Sequence, residues 1–166
     1  MSRGNLQGAL DNTNMVYQQL IEISNDIVAK CTKDTAPLIK EISSNIENLS
    51  NDSLREYLTK LSLKAYSLAE IKEKASMKAE ISDVLRKEAY ATEFNNADGT
   101  VALRENTAQL NISDEILAQT VNELVASILK VKLDEIHRLC DAIKTVLMSR
   151  LSEAKLLSMS EGTTND

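Results

Sequence analysis

Glycine, proline, aromatic residues, histidine and cysteine are all scarce in this sequence, and each scarcity removes a class of fold or of chemistry. Four glycines and one proline in 166 residues leave too few turn formers for a protein of many short strands. Aromatics make up 3% and tryptophan is missing, so the residues that favour sheets are thin on the ground. The two cysteines, Cys31 and Cys140, are too few and too widely spaced for a disulfide framework or a zinc motif, and free thiols in a reducing compartment are expected. His137 is the single histidine and cannot assemble a metal site or a triad without partners, so a structural or surface role is expected for it. Neighbouring carboxylates such as Asp114 with Glu115, or Asp134 with Glu135, project from different sides of a helix and do not converge on one substrate. No glycine-rich phosphate loop, Gly-x-Ser-x-Gly or His-Glu-x-x-His occurs. The expectation is a protein that is not an enzyme, with no cofactor, no metal and no small-molecule substrate.

Long apolar runs are missing too. None approaches the roughly 20 residues of a membrane span, and the opening MSRGNLQGALDNTN lacks the continuous apolar stretch of a secretory signal. A soluble, cytoplasmic protein is expected. The formal charge of -6 argues against bulk attraction to nucleic acid. The charge is uneven, however: residues 53–90 and 130–155 are mildly basic, and residues 91–129 are acidic.

What the chain has in quantity is Ala, Leu, Ile, Glu and Lys, the composition of an all-α protein. Val16, Leu20, Ile23 and Ile27 step by 4, 3 and 4 and predict a helix over 13–30. Pro37, placed in a first turn after Asp34 or Thr35 as cap, opens a second over 36–49, with Leu38, Ile42, Ile46 and Leu49 on one side. From Asp52, read as an N-cap, to Asn96 no glycine or proline interrupts about 45 residues, a rod of about 66 Å. Leu54, Leu58, Leu61, Ala65 and Leu68 form its first seam; a charged middle follows, and Ile81, Leu85, Tyr90 and Phe94 restore an apolar side. Ser113, read as the N-cap with Asp114 and Glu115 in the first turn, opens the last helix over 114–159. Its heptad seam is Leu129, Leu133, Ile136, Cys140, Ile143, Leu147, Arg150, Ala154 and Leu157. Further apolar residues widen the stripe beyond one partner helix, which predicts a homo-oligomer.

The expected fold is all-α: a long antiparallel two-helix hairpin, with two shorter N-terminal helices forming a four-helix bundle at one end, near 54–70 and 143–157. Residues 97–113 form the tip, in which Gly99 supplies a permissive backbone and Tyr90, Phe94 and Arg104 pack nearby. Residues 1–12 and 160–166 are expected to be flexible, leaving 13–159 as a single helical domain. In the antiparallel register, Lys72, Lys74, Lys78, Arg86 and Lys87 on one rod stand level with Lys130, Lys132 and Arg138 on the other, a candidate flank for single-stranded nucleic acid. A solvated face laced with i, i+4 pairs such as Glu70 with Lys74 is the favoured reading of the same residues.

The stretches KAEISDVLRKEAYATEFNNADGTVALRENTAQL and VKLDEIHRLCDAIKTVLMSRLSEAKL resemble the small helical proteins of tailed phages whose genes lie near recombination and single-strand-binding genes. The likeness rests on Arg86 to Tyr90, on a Gly-Thr-Val plus Arg-Glu turn, and on a Lys-Leu-Asp-Glu-Ile helix ending near Ser149 and Arg150. More distantly, LDEIHRLCDAIKTVLMSR is similar to the late helix of the recombination mediator of T-even phages. The resemblance implies an oligomeric accessory factor in single-stranded DNA metabolism, in the cytoplasm of an infected bacterium, binding DNA or a replication or recombination protein. A protein-binding module, acting as an assembly factor or as an inhibitor of a host enzyme or defence system, is the other reading.

Overall fold

The computed structural model describes the backbone of residues 3–161 and the side chains of residues 14–159. Within them the chain is all-helical, with α1 at Arg3–Thr32, α2 at Ala36–Asn45, α3 at Asn51–Asn96, α4 at Val101–Asn111 and α5 at Ser113–Glu161. No described helix is long and apolar enough to cross a membrane. The last residues of the tail expected to be flexible, 162–166, lie outside the described residues.

The helix boundaries follow from local hydrogen bonds. Ser50 is the N-cap of α3, since its Oγ accepts the Ser53 N–H at 3.1 Å. The expected cap, Asp52, sits inside the first turn and pairs with Arg55 at 3.4 Å. Ser113 is likewise the first residue of α5 and not its cap, because the Ile112 carbonyl already accepts from the Ile116 N–H at 3.1 Å. At α2, Pro37 occupies the first turn, and Thr35 makes no side-chain capping bond. That helix stops at Asn45, four residues before the expected end, where Asn48 bonds back to Asn45 through both main chain and side chain. Between α3 and α4, Gly99 takes φ 106°, a conformation that side chains with a Cβ rarely adopt.

Contacts divide the chain into two compact units. The first combines α1 as far as Cys31 with Glu70–Lys130, and the second combines Thr32–Ala69 with the rest of α5 from Val131. Grouping α1 with Glu70–Lys130 corrects its expected place beside 54–70 and 143–157. That placement assumed a helix of about five turns, whereas α1 has 30 residues.

The first unit mixes small and aliphatic residues in its core. Ser24 and Val28 of α1 are buried, and Leu20 and Ile21 half-buried, while Val16, Ile23 and Ile27 face solvent. The expected α1 seam is therefore displaced around the helix. Ser24 satisfies its buried hydroxyl within the helix, donating to the Leu20 carbonyl at 2.7 Å. On α3 the half-buried positions include Ala75, Ala79, Ser82, Arg86, Ala89, Tyr90 and Phe94, while Met77, Ile81, Val84 and Leu85 are each more than half exposed. Ile81 and Leu85 thus do not join Tyr90 and Phe94 in one apolar side: the inward face of α3 includes residues that bond across to α4 and α5. Ser82 accepts from Asn122 at 2.8 Å, Arg86 donates to Gln119 at 2.5 Å, and Glu93 accepts from Asn111 at 2.6 Å. Ala108, Ile112, Val125 and Leu129 complete the core of this unit.

The second unit has its own apolar core. Leu54, Leu61 and Leu68 recur every seven residues on α3, and all three are buried. Facing them are Ile136, Cys140 and Ile143 of α5, with Ile42 of α2 fully buried as well. Leu133 and Leu147, on the same seam of α5, are half-buried. From Leu151 to Met159 the helix is exposed, so Ala154 and Leu157 do not extend the seam.

Candidate interaction surface

Five of the eight basic candidates spend their charge on carboxylates of their own chain. Lys72 pairs with Glu73 at 3.3 Å, Lys74 with Glu70 at 2.6 Å and Lys132 with Glu135 at 2.9 Å. Arg86 and Lys87 share Asp83, at 3.0 and 2.6 Å. The Lys87 and Arg86 hydrogen bonds hold the Asp83 carboxyl below its ordinary range, and Lys74 does the same for Glu70. Lys78, Lys130 and Arg138 are exposed and form no ion pair among the described residues. Arg86 is further tied into a network in which Gln119 donates to Glu123 at 2.7 Å and to Asp83 at 3.4 Å.

The tip residues are occupied with one another. Tyr90 and Phe94 stack with ring centroids 6.1 Å apart, and the Arg104 guanidinium lies 4.3 Å above the Phe94 ring. Arg104 also donates through Nε and Nη2 to the Phe94 carbonyl, at 2.9 and 2.7 Å. A cation at the carbonyl end of α3 is favoured by the helix dipole. These aromatic faces are used inside the first unit and are not laid out as a platform for bases.

Arg150, the polar interruption in the α5 seam, has the same kind of task in the second unit. Its Nη1 donates to the Leu49 carbonyl at 2.6 Å and to Asn51 Oδ1 at 3.0 Å, and its Nη2 to the Glu47 carbonyl at 2.6 Å. These carbonyls belong to the turn between α2 and α3 and have no helix to satisfy them. The sequence signal was an arginine where a heptad asks for an apolar residue.

Several chemistry-bearing groups of the second unit line cavities. His137, Cys140, Asp141 and Lys144 border one open depression of about 500 Å³ with Ser62 and Tyr66. Burial pushes the Cys140 thiol up from its ordinary pKa, against a hydrogen bond with Ser62, so it is the opposite of an activated thiolate. A second cavity, of about 220 Å³, lies against the start of α2, with Thr32, Thr35, Ile39, Leu68 and the Lys132–Glu135 pair in its wall. No group of three or more potential metal ligands comes together among the described residues.

The surface stands out for its aliphatic side chains. In the first unit, α3 turns Met77, Ile81, Val84 and Leu85 to solvent, and α1 exposes Met15, Val16, Tyr17, Ile23 and Ile27. Exposed apolar side chains that share one side of a helix, as Met77, Ile81 and Leu85 do at spacings of four, are the kind of surface that marks interaction sites. No protein-family model matches this chain, and no curated protein or solved structure is significantly similar to it.

Proposed function

We propose that this chain is a non-enzymatic, oligomeric helical accessory protein that works by binding proteins through the apolar helix faces of its first unit. The observation that carries this reading is the inversion of α3, which packs alanine, serine and arginine inward and leaves Met77, Ile81, Val84 and Leu85 more than half exposed. Covering such side chains is favourable by roughly 25 cal/mol per Å², and no described segment of the chain covers them. The antiparallel pairing of α3 with α5 belongs to the same proposal. It is supported by the Ser82–Asn122 bond in the first unit and the Asn51–Arg150 bond in the second.

Besides further copies of itself, the partner suggested by the phage resemblance is a replication or recombination protein of the single-stranded DNA machinery. An assembly partner, host enzyme or defence protein would use the same surface chemistry. Sedimentation equilibrium of the purified chain should give a mass above 18.4 kDa at micromolar concentration, and a single species at 18.4 kDa would contradict the proposal.

Direct binding of single-stranded DNA is the second reading, favoured by the exposed and unpaired Lys78 and Lys130 of the first unit. It predicts affinity that falls with salt by roughly 0.7 in the logarithm per phosphate contacted. The protein-binding proposal predicts no measurable affinity for an oligothymidylate even at about 50 mM salt, where ionic contacts are strong. Saturable, salt-sensitive binding that is lost on replacing Lys78 and Lys130 by Glu would promote the second reading over the first.

A further inference from the structure

We infer that the outward stripe of α3 is a self-association surface on which a second copy of the same chain docks antiparallel, with the two-fold axis passing at Ile81. This rests on the oligomeric reading above and gives it a surface and an orientation. Ile81 is 55% exposed; Met77, four residues before it, is 56% exposed and Leu85, four residues after it, is 55% exposed. At about 100° of rotation per residue, Met77 and Leu85 fall about 40° to either side of Ile81, and Val84 lies about 60° away beside Met77. Lys74 and Glu88, seven residues before and after Ile81, both lie within about 20° of it. Read outward from Ile81, the stripe is apolar at four residues in both directions and charged at seven, positive toward the N-terminus and negative toward the C-terminus.

Such a pattern complements itself in one orientation only. Turning the second copy end for end sets Ile81 against Ile81, Met77 against Leu85 and Lys74 against Glu88, the last two contacts each occurring twice about the axis. A parallel, in-register pair would instead set Lys74 against Lys74 and Glu88 against Glu88, and like charges repel. Lys78 would lay its methylene stem over the mate's Val84 and keep its ammonium in water. Glu88 forms no ion pair among the described residues. Lys74 already pairs with Glu70 at 2.6 Å, and in the dimer its ammonium would be shared between Glu70 and the mate's Glu88. The four apolar side chains offer on the order of 400 Å², the size of a functional patch on a monomer. Their charged flanks carry the contact toward the roughly 800 Å² per partner of a specific interface.

Single cysteines test the orientation, in a background where the exposed Cys31 is changed to Ser and the buried Cys140 is retained. Under mild oxidation Ile81→Cys should give a disulfide-linked dimer as the main species. Lys74→Cys should stay unlinked, because its mate lies about 21 Å away along the helix, while a mixture of Lys74→Cys and Glu88→Cys chains should link to each other. Reversing one charge by Lys74→Glu should weaken self-association roughly tenfold, since two symmetry-related pairs become repulsive. Adding Glu88→Lys to the same chain should restore it, with helix content by circular dichroism unchanged throughout. If the unmodified protein is oligomeric but Ile81→Cys does not link, or Lys74→Cys links equally well, the antiparallel α3 surface is wrong and the oligomeric reading survives. An unmodified protein that remains at 18.4 kDa overturns both.

Discussion

Arg150 ties the end of one helical segment to another: two carbonyls and a side-chain oxygen of the α2–α3 turn meet at its guanidinium. A lysine has a single ammonium and no planar fork, so Arg150→Lys is not a conservative change here. It should cost about 1–3 kcal/mol, the penalty of leaving the part-buried Leu49 carbonyl unsatisfied; chemical denaturation measures it, and a variant within error of the parent would show that water replaces the arginine without loss. Asp83 gives a pH test. Its hydrogen bonds with Lys87 and then Arg86 lower its folded pKa, so its stabilising contribution is complete above the unfolded value of about 3.9 and disappears as pH falls through the lower folded one. Asp83→Asn should therefore be less stable than the parent at neutral pH, and the difference should close on acidification below about pH 4. A gap that stays constant down to pH 2 would mean that the ion pairs contribute nothing. At this scale the sequence was partly legible. Gly99 could be read as a turn residue because it stands alone in a long stretch without glycine, whereas the tasks of Arg104 and Arg150 depend on carbonyls that only the folded chain brings near.

Helical periodicity identifies stripes, but it does not say which stripe faces the core. On α3 the leucines at 54, 61 and 68 and on α5 the residues at 136, 140 and 143 were legible, because large apolar side chains at a seven-residue spacing had no competing face. Ile143→Ala should accordingly destabilise by about 2–5 kcal/mol. Lys144→Ala, one residue on and paired only with Asp141 at 2.9 Å on the surface, should stay within about 0.5 kcal/mol. Equal melting temperatures for the two would put the seam in solvent. Beyond residue 70 the same reasoning misassigned Ile81 and Leu85, as it misassigned Val16, Ile23 and Ile27 of α1. In α3 a face of small or polar residues bonds to neighbouring helices and leaves the aliphatic face outward, whereas in α1 a neighbouring stripe of Leu20, Ile21, Ser24 and Val28 is the one turned inward. For α3 size-weighted apolarity predicts the reverse, so the error there is systematic and not a matter of boundaries.

For the molecule as a whole, the same displacement that defeats the sequence reading supplies the functional one. Composition was enough for the all-α class, since scarce glycine, proline and aromatics leave few other solutions. The basic flank was visible as a list of lysines, but the carboxylates that occupy five of its eight charges come into view only with side-chain geometry. What remains exposed is mainly aliphatic, and the central claim is that other protein surface covers it in solution. Hydroxyl-radical footprinting tests this directly, because methionine oxidation reports the accessibility of its sulfur and two methionines have nearly equal exposure in the isolated chain: Met77 on the α3 stripe at 56%, and Met148 in the second unit at 63%. At micromolar concentration Met77 should oxidise several-fold more slowly than Met148, and dilution should lift that protection as the assembly dissociates. Equal oxidation rates for the two at every concentration would contradict the account.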